Sequence, residues 1–160
     1  MRFASLGSGS RGNGTLIETP GATLLVDCGF TIKATVERLA RLGKTPADLT
    51  AILVTHEHGD HLKGVAPFAR KFQVPVYMTP GTFHSKDLGK LPTLHLIHGY
   101  APFTLGDIQV TPVAVPHDAR EPAQFVFEAG DLRRGALTDL GSSSPHVEVS
   151  GQNCAAVAGK

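Results

Sequence analysis

Cysteine is scarce in this chain. Cys28 and Cys154 are the two among 160 residues, too few to read as a disulfide framework. Reduced thiols in a cytosolic compartment are the simpler expectation. Charge of one sign is scarce as well. Fifteen Lys and Arg against fourteen Asp and Glu give a formal net charge of +1, which speaks against the broad basic footprint of many nucleic-acid binders. A local basic patch remains open, with Arg2, Arg11, Arg133 and Arg134 as its candidates. No run of apolar residues approaches the length of a membrane span. The opening Met1-Arg2-Phe3-Ala4-Ser5-Leu6-Gly7-Ser8-Gly9 has no apolar core of a secretory signal. The expectation is a cytoplasmic protein without membrane association. Internal repeats and low-complexity tracts are absent too.

What is present is an ordinary globular composition, 41% hydrophobic and 18% charged, in a length that suits one domain over residues 1–160. Arg2 to Leu6 reads as a strand ending in a Gly/Ser-rich loop, Gly7 to Gly14. Thr15 to Glu18 and Thr23 to Asp27 flank Pro20-Gly21 as a hairpin. A helix is expected from about Ile32 to Leu42, with Gly43 just past its end. The apolar Ala51-Ile52-Leu53-Val54 reads as a strand buried on both faces. A helix from about Leu62 to Lys71, a strand at Val74 to Met78 and a short helix at Pro80 to Ser85 follow. Strands are then expected at Leu94 to Ile97, Phe103 to Leu105, Ile108 to Val115, Gln124 to Glu128 and Gly135 to Thr138. Ser144 to Lys160 begins like a helix and loses its pattern. Many strands with interspersed helices fit a layered architecture of helices and sheets.

Eight histidines occur, and three of them fall within six residues: His56-Glu57-His58-Gly59-Asp60-His61, directly after the apolar strand. Imidazoles and carboxylates suit zinc and similar divalent ions. The two-residue spacing of His56 and His58 can set both rings on one side of a loop, and Asp60 and His61 can turn to the other. Four ligand-type residues in six positions can serve two adjacent metals, and a metal pair about 3.5–4 Å apart can activate a shared hydroxide. A lone histidine at a strand end is usually structural or solvated; a cluster of this density is hard to explain that way.

The run Thr55-His56-Glu57-His58-Gly59-Asp60-His61 resembles the His-x-His-x-Asp-His signature of the metallo-β-lactamase superfamily. Ser8-Gly9-Ser10-Arg11-Gly12-Asn13, Val26-Asp27-Cys28-Gly29, Pro116-His117-Asp118-Ala119 and Thr138-Asp139-Leu140-Gly141 narrow the likeness to the cytoplasmic YycJ (WalJ)-like branch, whose relatives are nucleases and phosphodiesterases. The resemblance implies an α+β fold, the αββα sandwich, and a two-metal site. His56, His58 and His117 would hold one metal and Asp60 and His61 the second. Asp139 would bridge both, and Asp27 would orient the ligand loop from behind. Zinc is the implied ion, with manganese or iron as alternatives, and Asp60 or Asp139 would manage the proton of the reaction. Read without the family, His117 is equally a surface histidine, and Asp139 and Asp27 are more often turn or cap residues. His84, His95, His98 and His146 are not expected to be ligands. The Gly7 to Gly14 loop reads either as a phosphate cradle or as an ordinary turn.

The chain carries no ligand-type motif after Asp139, where family members continue with further strands and a last histidine. The expectation is therefore a second sheet lacking strands, a weakened second metal site and a tail of truncated character. An open sheet edge would invite self-association. The implied function is phosphodiester hydrolysis by metal-activated hydroxide, with nucleic acid as a candidate substrate. Two alternatives stand beside it: thioester or lactam hydrolysis, and a catalytically weak metal-binding fragment.

Overall fold

The computed structural model describes residues 1–116, 118–130, 132–137 and 154–158, the last two segments as backbone strands. The chain starts with β1 (Arg2–Gly7), β2 (Gly14–Thr19) and β3 (Ala22–Val26), then α1 (Ile32–Arg41), a 3-10 turn (Pro46–Asp48) and β4 (Ala51–Leu53). It continues with α2 (Gly59–Leu62), α3 (Val65–Phe72), β5 (Val76–Met78), α4 (Pro80–Ser85), β6 (Leu94–Leu96), β7 (Phe103–Leu105), β8 (Ile108–Ala114) and β9 (Ala123–Ala129). The strands β10 (Leu132–Leu137) and β11 (Cys154–Ala158) complete the described elements.

Two sheets result. The first has six strands in sequence order, β1 to β6. Its first three strands are antiparallel, and β3 to β6 run parallel, each joined by a helical crossover or a longer connection. Parallel strands covered on both faces are largely apolar, and β4 and all of β3 but Thr23 are: Leu25 and Ile52 point into a core shared with the helices, while Leu24, Val26, Ala51 and Leu53 point the other way into a core shared with the second sheet. The second sheet has the order β11-β10-β9-β8-β7. Its alternating Ile108 and Val110 on β8 and Phe125 and Phe127 on β9 fill the core between the sheets.

All four described helices lie on the outer face of the first sheet, contributing Leu39, Leu62, Val65, Phe68 and Ala69 to its core. The described residues thus form the helix layer and both sheet layers of the αββα arrangement; a helix layer on the second sheet is not among them. α1 is capped by the Thr31 hydroxyl, which accepts from the Ala34 N–H at 3.1 Å, and it carries Arg38 and Arg41 in its last turn, where cations suit the helix dipole.

Two expectations are corrected here. The single helix over Leu62 to Lys71 is two, because the Gly64 N–H bonds to the Cys28 carbonyl at 2.9 Å and breaks the run. Asp60 and His61 accordingly sit on the helical turn α2 rather than on a loop. The tail that lacks pattern in the sequence contributes β11, which pairs parallel to β10 over Arg133↔Cys154 to Leu137↔Ala158. The second sheet therefore has one strand more than expected.

Candidate metal centre

The parallel strands deliver their carboxyl ends to one edge, where ligand sites of open sheets are usually found. Asp27 follows β3, Thr55 and His56 follow β4, and Thr79 follows β5. Asp27 is fully buried and takes a left-handed backbone conformation, φ 63°, one that Asp tolerates better than most residues. Its carboxylate accepts three hydrogen bonds. Oδ1 accepts from the Thr55 N–H at 2.8 Å, and Oδ2 accepts from the Thr55 hydroxyl and from His61 Nδ1, each at 2.7 Å.

These bonds fix where the ring protons are. A carboxylate only accepts, so His61 donates from Nδ1, and in the neutral ring its Nε2 carries the lone pair. The Thr55 hydroxyl has one proton, which goes to Asp27. The 2.8 Å contact between that oxygen and His56 Nδ1 is therefore donated by the ring, and His56 Nε2 also carries a lone pair. His58 is set differently. Its Nε2 lies 2.5 Å from the Asp118 carbonyl, which can only accept, so Nδ1 is the lone-pair nitrogen of His58. The ring centroids of His56 and His58 are 4.6 Å apart and those of His56 and His61 are 4.2 Å apart.

Asp60 is held from the opposite side. Asn13, in the Gly/Ser-rich loop, donates from Nδ2 to Asp60 Oδ2 at 3.0 Å, and its backbone N–H donates to the Asp60 carbonyl at 2.7 Å. The Gly9 N–H donates to Asn13 Oδ1 and the Gly12 N–H to the Gly9 carbonyl. The loop, which the sequence leaves open as a phosphate cradle or an ordinary turn, spends these amides on itself and braces Asp60. Close approach explains Gly29: a Cβ there would stand 1.8 Å from the Asp60 carbonyl oxygen. Next to Asp27, the Cys28 thiol is pushed above its ordinary pKa, by burial first and by the Asp27 charge in addition, which keeps it a neutral, packed group.

The donor set fits a divalent cation. His61 Nε2 and Asp60 Oδ2 are 3.7 Å apart; with His61 neutral and its Nδ1 proton directed at Asp27, both are lone-pair atoms that one cation could share. Neutral imidazoles whose other nitrogen is committed to a carboxylate or carbonyl are the form in which histidine binds metals. Among the described residues, no three His, Cys, Asp or Glu side chains yet close on a single ion. His117 and Asp139, the expected completing ligands, lie outside the described residues, as does His146. The structure brings together His56, His58, Asp60, His61 and Asp27. Sequence reasoning missed Asn13, Thr55 as the hydrogen-bond bridge between Asp27 and His56, and the Asp118 carbonyl. Thr55 adjoins the histidine run, and Asn13 ends a Gly-rich loop. A main-chain carbonyl leaves no mark in the sequence.

Among the described residues, no helix is long and apolar enough to cross a membrane. The chain is 38% identical over 153 residues to the exodeoxyribonuclease WalJ of Streptococcus pneumoniae, covering 92% of this chain and 57% of that protein. It is 36% identical over 152 residues to the exodeoxyribonuclease YycJ of Bacillus anthracis, covering 92% of this chain and 58% of that protein. The chain thus spans less than two thirds of the length of these curated relatives. Among solved structures, zinc-bound PqqB from Methylobacterium extorquens superposes with a TM-score of 0.76 at 15% identity, over 99% of this chain and 70% of the other, a likeness of fold. A model of the metallo-β-lactamase superfamily matches residues 7–154, and with the histidine run and the two packed sheets already in place, this chain belongs to the metallo-β-lactamase superfamily.

Proposed function

We propose that this protein is a metal-dependent hydrolase that cleaves phosphodiester bonds of nucleic acid, working from DNA ends. The observation that carries the reading is the Asp27–Thr55 network. One buried carboxylate sets the ring protons of both His56 and His61, the arrangement that prepares imidazoles to bind a metal through Nε2. The relatives' names, both exodeoxyribonucleases, support the substrate class.

His56, His58, Asp60 and His61 would hold the metal, with His117 and Asp139 completing the two-ion set over a single domain spanning 1–160. Zinc is the leading ion, supported by the zinc in PqqB and by the imidazole-rich donors. When bound, a divalent cation there supplies Lewis acidity toward a phosphoryl oxygen and lowers the pKa of water. The chain's own residues do the rest. Asp27 orients two imidazoles and sets which nitrogen of each carries a proton, His61 directly and His56 through Thr55. Asn13 fixes one oxygen of Asp60 and leaves the other to take up a proton. Asp118 fixes His58. Cytoplasmic location suits an enzyme of nucleic-acid ends and belongs to the same proposal.

The test is degradation of end-labelled linear DNA by the purified protein with zinc or manganese, beside elemental analysis. Shortening from the ends is expected, together with bound metal that is lost in the double variant His56→Ala/His58→Ala. Metal content that the double variant leaves unchanged would overturn the ligand assignment. Turnover of a lactam or thioester in the absence of DNA cleavage would select the other hydrolytic chemistry.

A further inference from the structure

The two histidines of the His56-Glu57-His58 run are oriented from opposite sides. His56 is tied to Thr55 and Asp27 within the first sheet. His58 is tied to a main-chain carbonyl, that of Asp118, in the segment joining β8 to β9 of the second sheet. A carbonyl can orient a ligand only if its own peptide is held. Residues 118–123 form no helix or strand before Ala123, so side chains and loop contacts must hold them.

Glu57 supplies the bond nearest to that carbonyl. Its Oε1 accepts the Arg120 N–H at 2.7 Å, and its Oε2 is enclosed with no hydrogen-bond partner among the described residues. The result is a small closed ring. Glu57 and His58 are neighbours in the chain, and Asp118 and Arg120 are two residues apart. One hydrogen bond runs from the His58 ring to Asp118, and the other runs from the Arg120 amide back to Glu57. Further ties lie farther along the segment. Arg120 reaches the His84 carbonyl at 3.1 Å, the Thr79 hydroxyl donates to the Glu121 carbonyl at 2.7 Å, and the Gly81 N–H donates to Glu121 Oε2 at 2.7 Å. The Ala123 N–H bonds to the Thr55 carbonyl at 2.9 Å. These fix residues 120–123 to α4 and to the end of β4, while Glu57 binds the Arg120 amide, the held N–H nearest to Asp118 among the described hydrogen bonds.

We infer that Glu57 is a positioning residue for the metal centre: by gripping the Arg120 amide it holds the Asp118 carbonyl against His58 Nε2, so that His58 presents Nδ1 to the metal. The inference rests on the metal-centre reading above and adds a part that does not touch the metal. It makes reach the requirement, not charge. Glu57→Gln keeps an oxygen at the same distance from the Arg120 N–H and removes the charge. Glu57→Asp keeps the charge and shortens the arm by one methylene. A role through electrostatics would rank these two variants the other way round.

Two readouts separate the clamp from the metal reading. The first uses metal-free, nitrogen-15-labelled full chain. It follows exchange with water of the His58 Hε2 proton and of the Arg120 amide proton. Both should be protected in wild type and Glu57→Gln and should exchange at least about tenfold faster in Glu57→Ala and Glu57→Asp, as expected when a closed hydrogen bond opens locally. The second is cobalt binding followed by visible absorption. Affinity should fall about ten- to a hundredfold in the alanine and aspartate variants, the usual cost of losing an outer partner of a ligand, and stay within about threefold in the glutamine variant. Equal protection and equal cobalt affinity in all four proteins overturns the inference. So does retention by aspartate with loss by glutamine. If wild type binds no cobalt while the exchange pattern is as described, the clamp stands and the metal reading fails.

Discussion

At the scale of single residues, Asp27 decides more than any other described side chain. Two donors meet its Oδ2 and a third meets its Oδ1. Asparagine has the same shape but one acceptor oxygen and one NH2 group. With the NH2 in place of Oδ1 it faces the Thr55 N–H; in place of Oδ2 it faces the Thr55 hydroxyl and the His61 ring. Asp27→Asn is therefore expected to bind zinc about ten- to a hundredfold more weakly, measured by competition with a chromophoric chelator, because the tautomers and orientations of His56 and His61 lose their template. An affinity equal to wild type would show that the rings are held by other means. This is also the scale at which the sequence was most and least legible. His56, His58, Asp60 and His61 stand out because their candidate ligand atoms come from one short stretch of chain, so spacing alone suggests the chemistry. Asp27 is one aspartate among several at strand ends, and only the family likeness marks it. Its physical distinction, a buried carboxylate meeting donors 28 and 34 residues away, exists only in the folded chain.

At the scale of elements, the packing of α2 against the segment after β3 sets the site. The Cys28 N–H bonds to the His61 carbonyl at 2.9 Å and the Gly29 N–H to the Asn13 carbonyl at 3.0 Å. Gly29 thus lies where the Asn13 loop, the end of β3 and the ligand turn cross. Its φ is not in the left-handed region, so alanine would meet no backbone penalty, and the effect of Gly29→Ala is purely steric. The new methyl would overlap the Asp60 carbonyl, which is backbone and can yield only by moving the turn. We expect at least about 2 kcal/mol of destabilisation, in the range of overpacked interiors, with loss of metal from the folded fraction. Thermal unfolding and elemental analysis check both. A variant with wild-type stability and metal content would mean that the turn moves without consequence. The split of the expected Leu62–Lys71 helix has the same origin. Leu62, Val65, Phe68 and Phe72 share one apolar face and give the sequence a continuous helical pattern. The break at Gly64 comes from its bond to Cys28 and from the Phe30 carbonyl, which leaves no room for a Cβ. Periodicity reports which face is buried and is silent on a neighbouring backbone that cuts the run.

At the scale of the molecule, the candidate centre straddles the two sheets. Asp27, His56 and His61 depend on the first sheet, while the carbonyl that orients His58 belongs to the segment between β8 and β9 of the second. The core between the sheets, with Phe125 and Phe127 fully buried at its heart, is what keeps these two sets of groups in register. The helix-side core, where α1 contributes Leu39, lies on the other face of the first sheet and supports the first set only. Two truncations of comparable cost should then differ in their effect on metal binding. Phe125→Ala is expected to destabilise by about 3–5 kcal/mol and Leu39→Ala by about 2–5 kcal/mol. Measured by calorimetry at a temperature where both variants remain folded, zinc affinity should fall in Phe125→Ala, because the second sheet can shift against the first and carry the Asp118 carbonyl away from His58. In Leu39→Ala it should stay near wild type, since the cavity opens on the face away from the second sheet. Equal losses in the two would mean that metal affinity follows overall stability alone, and equal retention would mean that the ligands are fixed within the first sheet without help from the second.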